Sequence, residues 1–293
     1  MSTSQVYLQA LPKPKPAEVE DHATAPRQID FGILAGIAIA VIAVAVGIAT
    51  TGVSLRYFFQ PTGFLIVVGG TIGVIFITTP RRALMHTARR VTELFWTPLV
   101  DREKLIDEIV SFSRLIRAKG LYMIEPMIDK VGNKFLAEAL LMAMDVRERS
   151  ELESALENHL RLKERQGEAD AKILEVAGGF APTLGVLGTV VGLINVLRQF
   201  STPSAVAYGV GTAFVSTIYG LALANLVMLP AAHRIRARVA EAFETQELVM
   251  EGVLCLYDKI HPSLVRQRLR CFLRETAPAA DATSNPAESL AAR

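Results

Sequence analysis

Apolar residues gather into four runs along this chain, at 31–51, 64–79, 177–197 and 207–229. Each run predicts a helix. At 1.5 Å per residue the first is about 30 Å long, the thickness of a bilayer's hydrocarbon. The second is shorter and extends back toward Gln60. Residues 52–63 join the first pair with a single charge, Arg56, and 198–206 join the second pair. Each pair is expected as an antiparallel helical hairpin.

Between the pairs, 80–176 follows a helical period. In "DREKLIDEIVSFSRLIRAKG", Leu105, Ile109, Phe112 and Ile116 recur at steps of three and four, and Gly120 is a stop signal. "KFLAEALLMAM" and "ELESALENHLRLKERQ" continue the pattern, and strand-like alternation is absent. After the fourth run, "ARVAEAFETQELVMEGVLCLYDKI" and "HPSLVRQRLRCFLRE" predict two more amphipathic helices. The first 30 residues are polar, carry prolines and read as a flexible tail, and the last 17 turn to Ala, Pro, Ser and Asn and read as disordered. The expected organisation is a tail (1–30), a transmembrane hairpin (31–79), a helical loop (80–176), a second hairpin (177–229), two helices (230–276) and a tail (277–293). The expected fold class is an all-α integral membrane protein with four transmembrane helices and a large cytoplasmic loop.

Composition agrees. The chain has 293 residues, 51% of them hydrophobic, and a mean hydropathy of +0.33. The run after Asp30 is too long for a signal peptide and lacks clean A-x-A punctuation. Arg81, Arg82, Arg89 and Arg90 open the long loop, while His233, Arg234, Arg236 and Arg238 follow the fourth run. The positive-inside rule therefore puts the loop and both termini in the cytoplasm. A net charge of +2 gives no pull toward nucleic acid. Cys255 and Cys271 have no CxxC spacing, the five histidines are scattered, and there is no GxSxG, P-loop or HExxH motif. Neither enzymatic catalysis nor a cofactor is expected.

The unusual residues lie inside the apolar runs. Ala181, Gly185, Gly188 and Gly192 form a small stripe at steps of four, three and four. Gly209, Ala213, Thr217, Gly220 and Ala224 form another, and Gly69 with Gly73 makes a GxxxG step. Small stripes let membrane helices approach closely. Thr189 and Thr217 sit on or beside these stripes near mid-span, with Ser216 and Asn225 nearby. A lone membrane threonine can bond its own backbone four residues back; two on facing stripes point to a polar channel wall. Pro182 frees a carbonyl early in the third run, or simply opens a helix. None of the four runs contains Asp, Glu, Lys or Arg. Ion-moving membrane proteins usually carry an ionisable group at depth, so a carboxylate for an ion path has to come from another chain.

These motifs resemble the MotA/PomA family, the A subunit of the bacterial flagellar stator, related to TolQ and ExbB. "APTLGVLGTVVGLI" is similar to its third-span pattern, "AFVSTIYGLALANLVMLP" to its fourth, "FLIVVGGT" to its second, "EGVLCLYDKIHP" to its C-terminal helix and "RAKGLYMIE" to its rotor-facing segment. The resemblance covers roughly 29–273. It implies five A subunits around two B subunits in the inner membrane, each B with one transmembrane helix carrying an aspartate. Ions would cross at the A–B boundary, and the loops would push on a rotor switch-complex protein. Carried over, Thr189 and Thr217 match threonines near the ion path, Pro182 and Pro230 the coupling prolines, and Arg117 and Glu125 the paired loop charges. Gly185, Gly188, Gly192 and Gly220 fall to helix packing, and membrane lipid surrounds the assembly. Ala118 stands where PomA-like members often have a second basic residue, and Gln60 and Gly63 where Asp and Ser are frequent. Between proton and sodium, the proton is preferred. The alternative is a TolQ/ExbB-like subunit energising outer-membrane transport or gliding.

Overall fold

A computed structural model describes residues 27–29, 31–52, 55–94, 96–98, 101–197 and 203–274; nearly all of both tails lies outside them. The described chain is helical apart from one small antiparallel pair. β1 (Arg27–Ile29) lies beside β2 (Trp96–Pro98), with Ile29 opposite Trp96. Helical periodicity carried no sign of this pair. Pro98 has no N–H to give a helix and suits a strand end.

The helices are α1 (Phe31–Thr50), α2 (Pro61–Thr78), α3 (Arg81–Glu93), α4 (Arg102–Lys119), the single turn α5 (Glu125–Ile128), α6 (Lys134–Asp145), α7 (Arg149–Leu197), α8 (Pro203–Ala222), α9 (Leu229–Tyr257) and α10 (Pro262–Arg274). A π-helical stretch, Leu223–Met228, runs from α8 into α9 without a break, and Leu65–Gly69 is π-helical within α2. Among the described residues, three helices are long and apolar enough to cross a membrane: α2, α7 and the continuous Gly209–Tyr257. α1 contributes a shorter apolar helix, Ala35–Thr50.

Two compact units form, and α7 and α9 contribute residues to both. The first lies within Leu99–Glu153 and Val249–Arg293. The Asp101 carboxylate accepts from the Glu103 and Lys104 amides and caps α4, and Asn133 accepts from Leu136 and caps α6. Leu105, Ile109, Phe112 and Ile116 are all buried on one face of α4. Gly120 ends that helix with φ +89°, a conformation open to glycine. Val253, Leu254 and Leu256 of α9 and Val265 and Leu269 of α10 are also buried here. Each such aliphatic side chain contributes roughly 1.5–3 kcal/mol of burial.

The second unit comprises Arg27–Pro98 and Ser154–Leu248. Its charged end is cemented by Leu94, Ala171, Leu174, Ala232 and Ile235. Its apolar end is the bundle of α2, α7 and α8. Gly70 of α2 lies against Leu184 of α7, and Gly63 against Ser216 of α8. None of the described residues of α1 is buried, and Ile39 and Ile42 are 68% and 60% exposed. It is apolar on every face, so packing against lipid or against protein is nearly equivalent for it.

Candidate functional site

α7 and α8 run antiparallel, and their glycines set the spacing. A methyl group added at Gly220 would lie 2.5 Å from the Ala181 carbonyl oxygen and 3.1 Å from the Cα atoms of Gly185 and Pro182. One at Gly185 would lie 2.9 Å from the Ser216 carbonyl oxygen, and one at Gly192 2.8 Å from Ala213 Cβ. Gly188 faces Ser216, whose Cβ would sit 2.8 Å from the added carbon. Farther along, Gly209 lies against Val196 and Gly178 against Leu229. The two backbones are therefore nearly in contact from Ala181 to Gly192 of α7 and from Ala213 to Gly220 of α8.

Close approach brings two hydroxyls together. Thr189 Oγ1 and Thr217 Oγ1 are 2.6 Å apart. Thr189 Oγ1 also lies 3.2 Å from the Gly185 carbonyl, four residues back, and 3.1 Å from the Ala213 carbonyl on the other helix. A hydroxyl has one proton to donate. If Thr189 donates to a carbonyl, it accepts from Thr217. If it donates to Thr217, the Thr217 proton is released to another acceptor. Thr189 is buried in the seam, while Thr217 is half-buried. Asn225, by contrast, donates to the Leu221 carbonyl at 3.0 Å on its own helix.

Pro182 lies inside continuous α7, at the crossing opposite Gly220. Its missing N–H leaves the Gly178 carbonyl without its usual helical donor. Pro230 is exposed near the start of α9, just past the Leu223–Met228 π-helical stretch. The wider i→i+5 turn gives the backbone room where the proline ring would crowd the preceding turn.

Arg117 and Glu125 are in the other unit. Arg117 is exposed in the last turn of α4, and Glu125 is exposed at the start of α5. Among the described residues neither forms an ion pair, with each other or elsewhere.

Several interactions had no sequence motif to announce them. The Tyr219 hydroxyl of α8 donates to the Phe58 carbonyl and accepts from the Gln60 amide at 3.0 Å. Its ring meets Phe64 edge-on, 6.2 Å between centroids. Tyr219 thus ties the segment entering α2 to α8. Asp170 of α7 is buried and receives three groups from α3: Thr87 Oγ1 at 2.8 Å, Arg90 Nε at 3.1 Å and His86 Nδ1 at 2.8 Å. Arg90 stands four residues after His86 and three after Thr87, the two spacings at which helix side chains are neighbours, and this is the available clue. Glu175 pairs with Arg236 and Lys172, and its hydrogen bond to Arg236 holds its carboxyl below the usual range. Arg238 donates to the Glu93, Leu94 and Trp96 carbonyls and closes the end of α3. A cleft of about 650 Å³ opens beside these groups, lined by His86, Arg90, Gln166, Trp96 and Phe243 among others. The threonine pair does not line it. The hydroxyls form part of a helix wall instead.

Residues 127–247 match the MotA/TolQ/ExbB proton channel family, and 34–120 match the N-terminal family of motility protein A. Motility protein A of Bacillus subtilis is 30% identical over 250 residues, covering 84% of this chain and 91% of that protein. The structure of the flagellar MotAB stator complex from Bacillus subtilis is similar at TM-score 0.76 and 29% identity, covering 82% of this chain and 94% of that one. The structure of C. jejuni MotAB reaches TM-score 0.80 at 24% identity, covering 85% and 98%, and is a likeness of fold.

Proposed function

This chain belongs to the MotA/TolQ/ExbB proton channel family and serves as the A subunit of a flagellar stator; we propose that it borders a proton path whose wall includes Thr189 and Thr217. The relatives reported above are motility proteins, which favours the flagellar reading over energised transport or gliding.

The topology that fits is four spans, α1, α2, the apolar half of α7 and α8 with its π-helical continuation. The long loop between the second and third spans and both termini lie in the cytoplasm, and the spans cross the bacterial inner membrane. Basic residues at Arg81, Arg82, Arg234 and Arg236 support that orientation. The partner is a B subunit with one transmembrane helix carrying an aspartate, surrounded by a ring of five copies of this chain.

The observation that carries the reading is the 2.6 Å contact between the two threonine hydroxyls. A carboxylate accepts hydrogen bonds, whereas a protonated carboxyl also donates one. With Thr217 donating to Thr189, its free lone pairs accept from a protonated carboxyl. With the pair reversed, Thr217 donates to a carboxylate. A single rotation of two hydroxyls serves both states of the aspartate, with no heavy atom moved. No acid in these four spans competes with it. Pro182, beside the freed Gly178 carbonyl, and Pro230, past the π-helical stretch, are the compliant points through which the carboxylate's charge change bends the bundle. Arg117 and Glu125 then present unpaired charges to the rotor.

The test is deletion of the gene in its own host, scored by microscopy for filaments and rotation, with the gene restored in trans. Filaments present but paralysed, rescued by the intact gene and not by Arg117→Glu, are the expected result. Normal rotation in a deletion strain that has no second stator gene would overturn it.

A further inference from the structure

Beside Arg117 and Glu125 the same turn carries a strip that charge alone does not explain. Tyr122 is 71% exposed, Met123 46% and Met127 43%. They occupy a single 3-10 turn, Leu121–Ile124, and the α5 turn that follows it. The strip is held in place. Ile124 and Ile128 are buried beneath it and peg both turns to the core. Gly120, at φ +89°, turns the chain into it. The Tyr122 hydroxyl donates to the Met144 carbonyl at 3.3 Å, although the ring itself faces solvent. Met123 and Met127 lie on successive turns, and both are exposed.

We infer that Tyr122, Met123 and Met127 form an apolar docking strip for the rotor protein, which meets it with a shallow apolar groove bordered by an acidic group facing Arg117 and a basic group facing Glu125. This rests on the stator reading above. Three observations select a protein partner of that chemistry. An exposed tyrosine held by its hydroxyl loses little freedom on binding. Methionines adapt to a surface that changes as it moves past. The flanking charges are of opposite sign and form no ion pair among the described residues, so they can fix the register of a complementary surface. Exposed ion pairs are individually weak and are screened by salt. In this arrangement the charges steer the rotor, and the strip supplies the grip that persists at cellular ionic strength.

The experiment complements the deletion strain with fluorescently tagged forms of the full chain: wild type, Tyr122→Ser with Met127→Ser, Tyr122→Phe with Met127→Leu, and Met123→Ser alone. It reads membrane abundance, fluorescent foci at flagellar bases, swimming speed, and the size of the purified stator complex. The polar double variant is expected to keep its abundance and complex size while losing foci and speed at least about fivefold. The apolar double variant is expected to retain both, and Met123→Ser to fall between. Wild-type foci and speed in the polar double variant overturn the strip while leaving the stator reading intact. A smaller purified complex places the strip between copies of this chain and overturns it too. If the polar double variant does not accumulate, Met123→Ser decides by the same criteria. A wild-type gene that restores no rotation overturns the stator reading and the strip with it.

Discussion

Thr189 Oγ1 and Thr217 Oγ1 lie 2.6 Å apart across the seam between α7 and α8, with two backbone carbonyls within 3.2 Å of Thr189. Four oxygens share two protons there, so the direction of donation is free to reverse. Thr217→Val removes one proton and one acceptor but keeps the shape. Thr189 still has a carbonyl to bond, so the variant is expected to accumulate normally and to drive rotation at least about tenfold more slowly, while Thr217→Ser retains rotation. Tethered-cell rotation speed beside an immunoblot checks this, and full speed in the valine variant would remove Thr217 from the path.

Gly220→Ala places a methyl 2.5 Å from the Ala181 carbonyl, and backbone cannot swing aside as a side chain does. The helices must separate, at a cost of about 1–3 kcal/mol. Gly73 has nothing within 4 Å of an added methyl, so Gly73→Ala should be within about 0.5 kcal/mol of wild type. Thermal unfolding of the detergent-purified complex compares the two. Equal melting temperatures would mean that the seam yields.

Asp170 gathers His86, Thr87 and Arg90 in a buried position. Asp170→Asn keeps the size but removes the charge that Arg90 faces. A loss of about 1.5–3 kcal/mol follows, the range of a hydrogen bond to a charged group. The same melting measurement applies, and Thr87→Val with Asp170→Asn together should cost less than the sum of the two.

Glu175 has its carboxyl lowered chiefly by its hydrogen bond to Arg236, with Lys172 helping. A lowered folded-state value stabilises the fold above the unfolded carboxylate's pKa, and this is lost as pH falls through the folded value. The stability gap between wild type and Glu175→Gln should therefore narrow on acidification below the ordinary carboxylate range. A gap that stays constant with pH would show that the pair contributes no linkage.

Cys255 is buried, and burial, with Glu251 adding to it, pushes its thiol up to about 11. It stays protonated at pH 8 and is shielded as well. Cys271 is exposed. Maleimide at pH 8 should label Cys271 in the folded protein and reach Cys255 only after denaturant, as peptide mass spectrometry would show.

The sequence by itself determined the helices and their chemistry class. Apolar runs free of Asp, Glu, Lys and Arg can be stable only out of water, and the steps of Leu105, Ile109, Phe112 and Ile116 bury one face of α4, so these were legible one residue at a time. The small stripes of α7 and α8 announced close packing, whereas nothing lies within 4 Å of a methyl added at Gly69 or Gly73. Tertiary structure decided what met what. That Gly220 faces Ala181, that Thr189 reaches Thr217 from 28 positions away, and that Asp170 collects three groups from α3 depend on how helices are set side by side. Nor did periodicity mark Tyr219 as the tie to Phe58 and Gln60, or leave α1 without a buried face. Local pattern records what each segment must hide from water. Partner identity is set by the distances between segments, which a linear pattern does not contain.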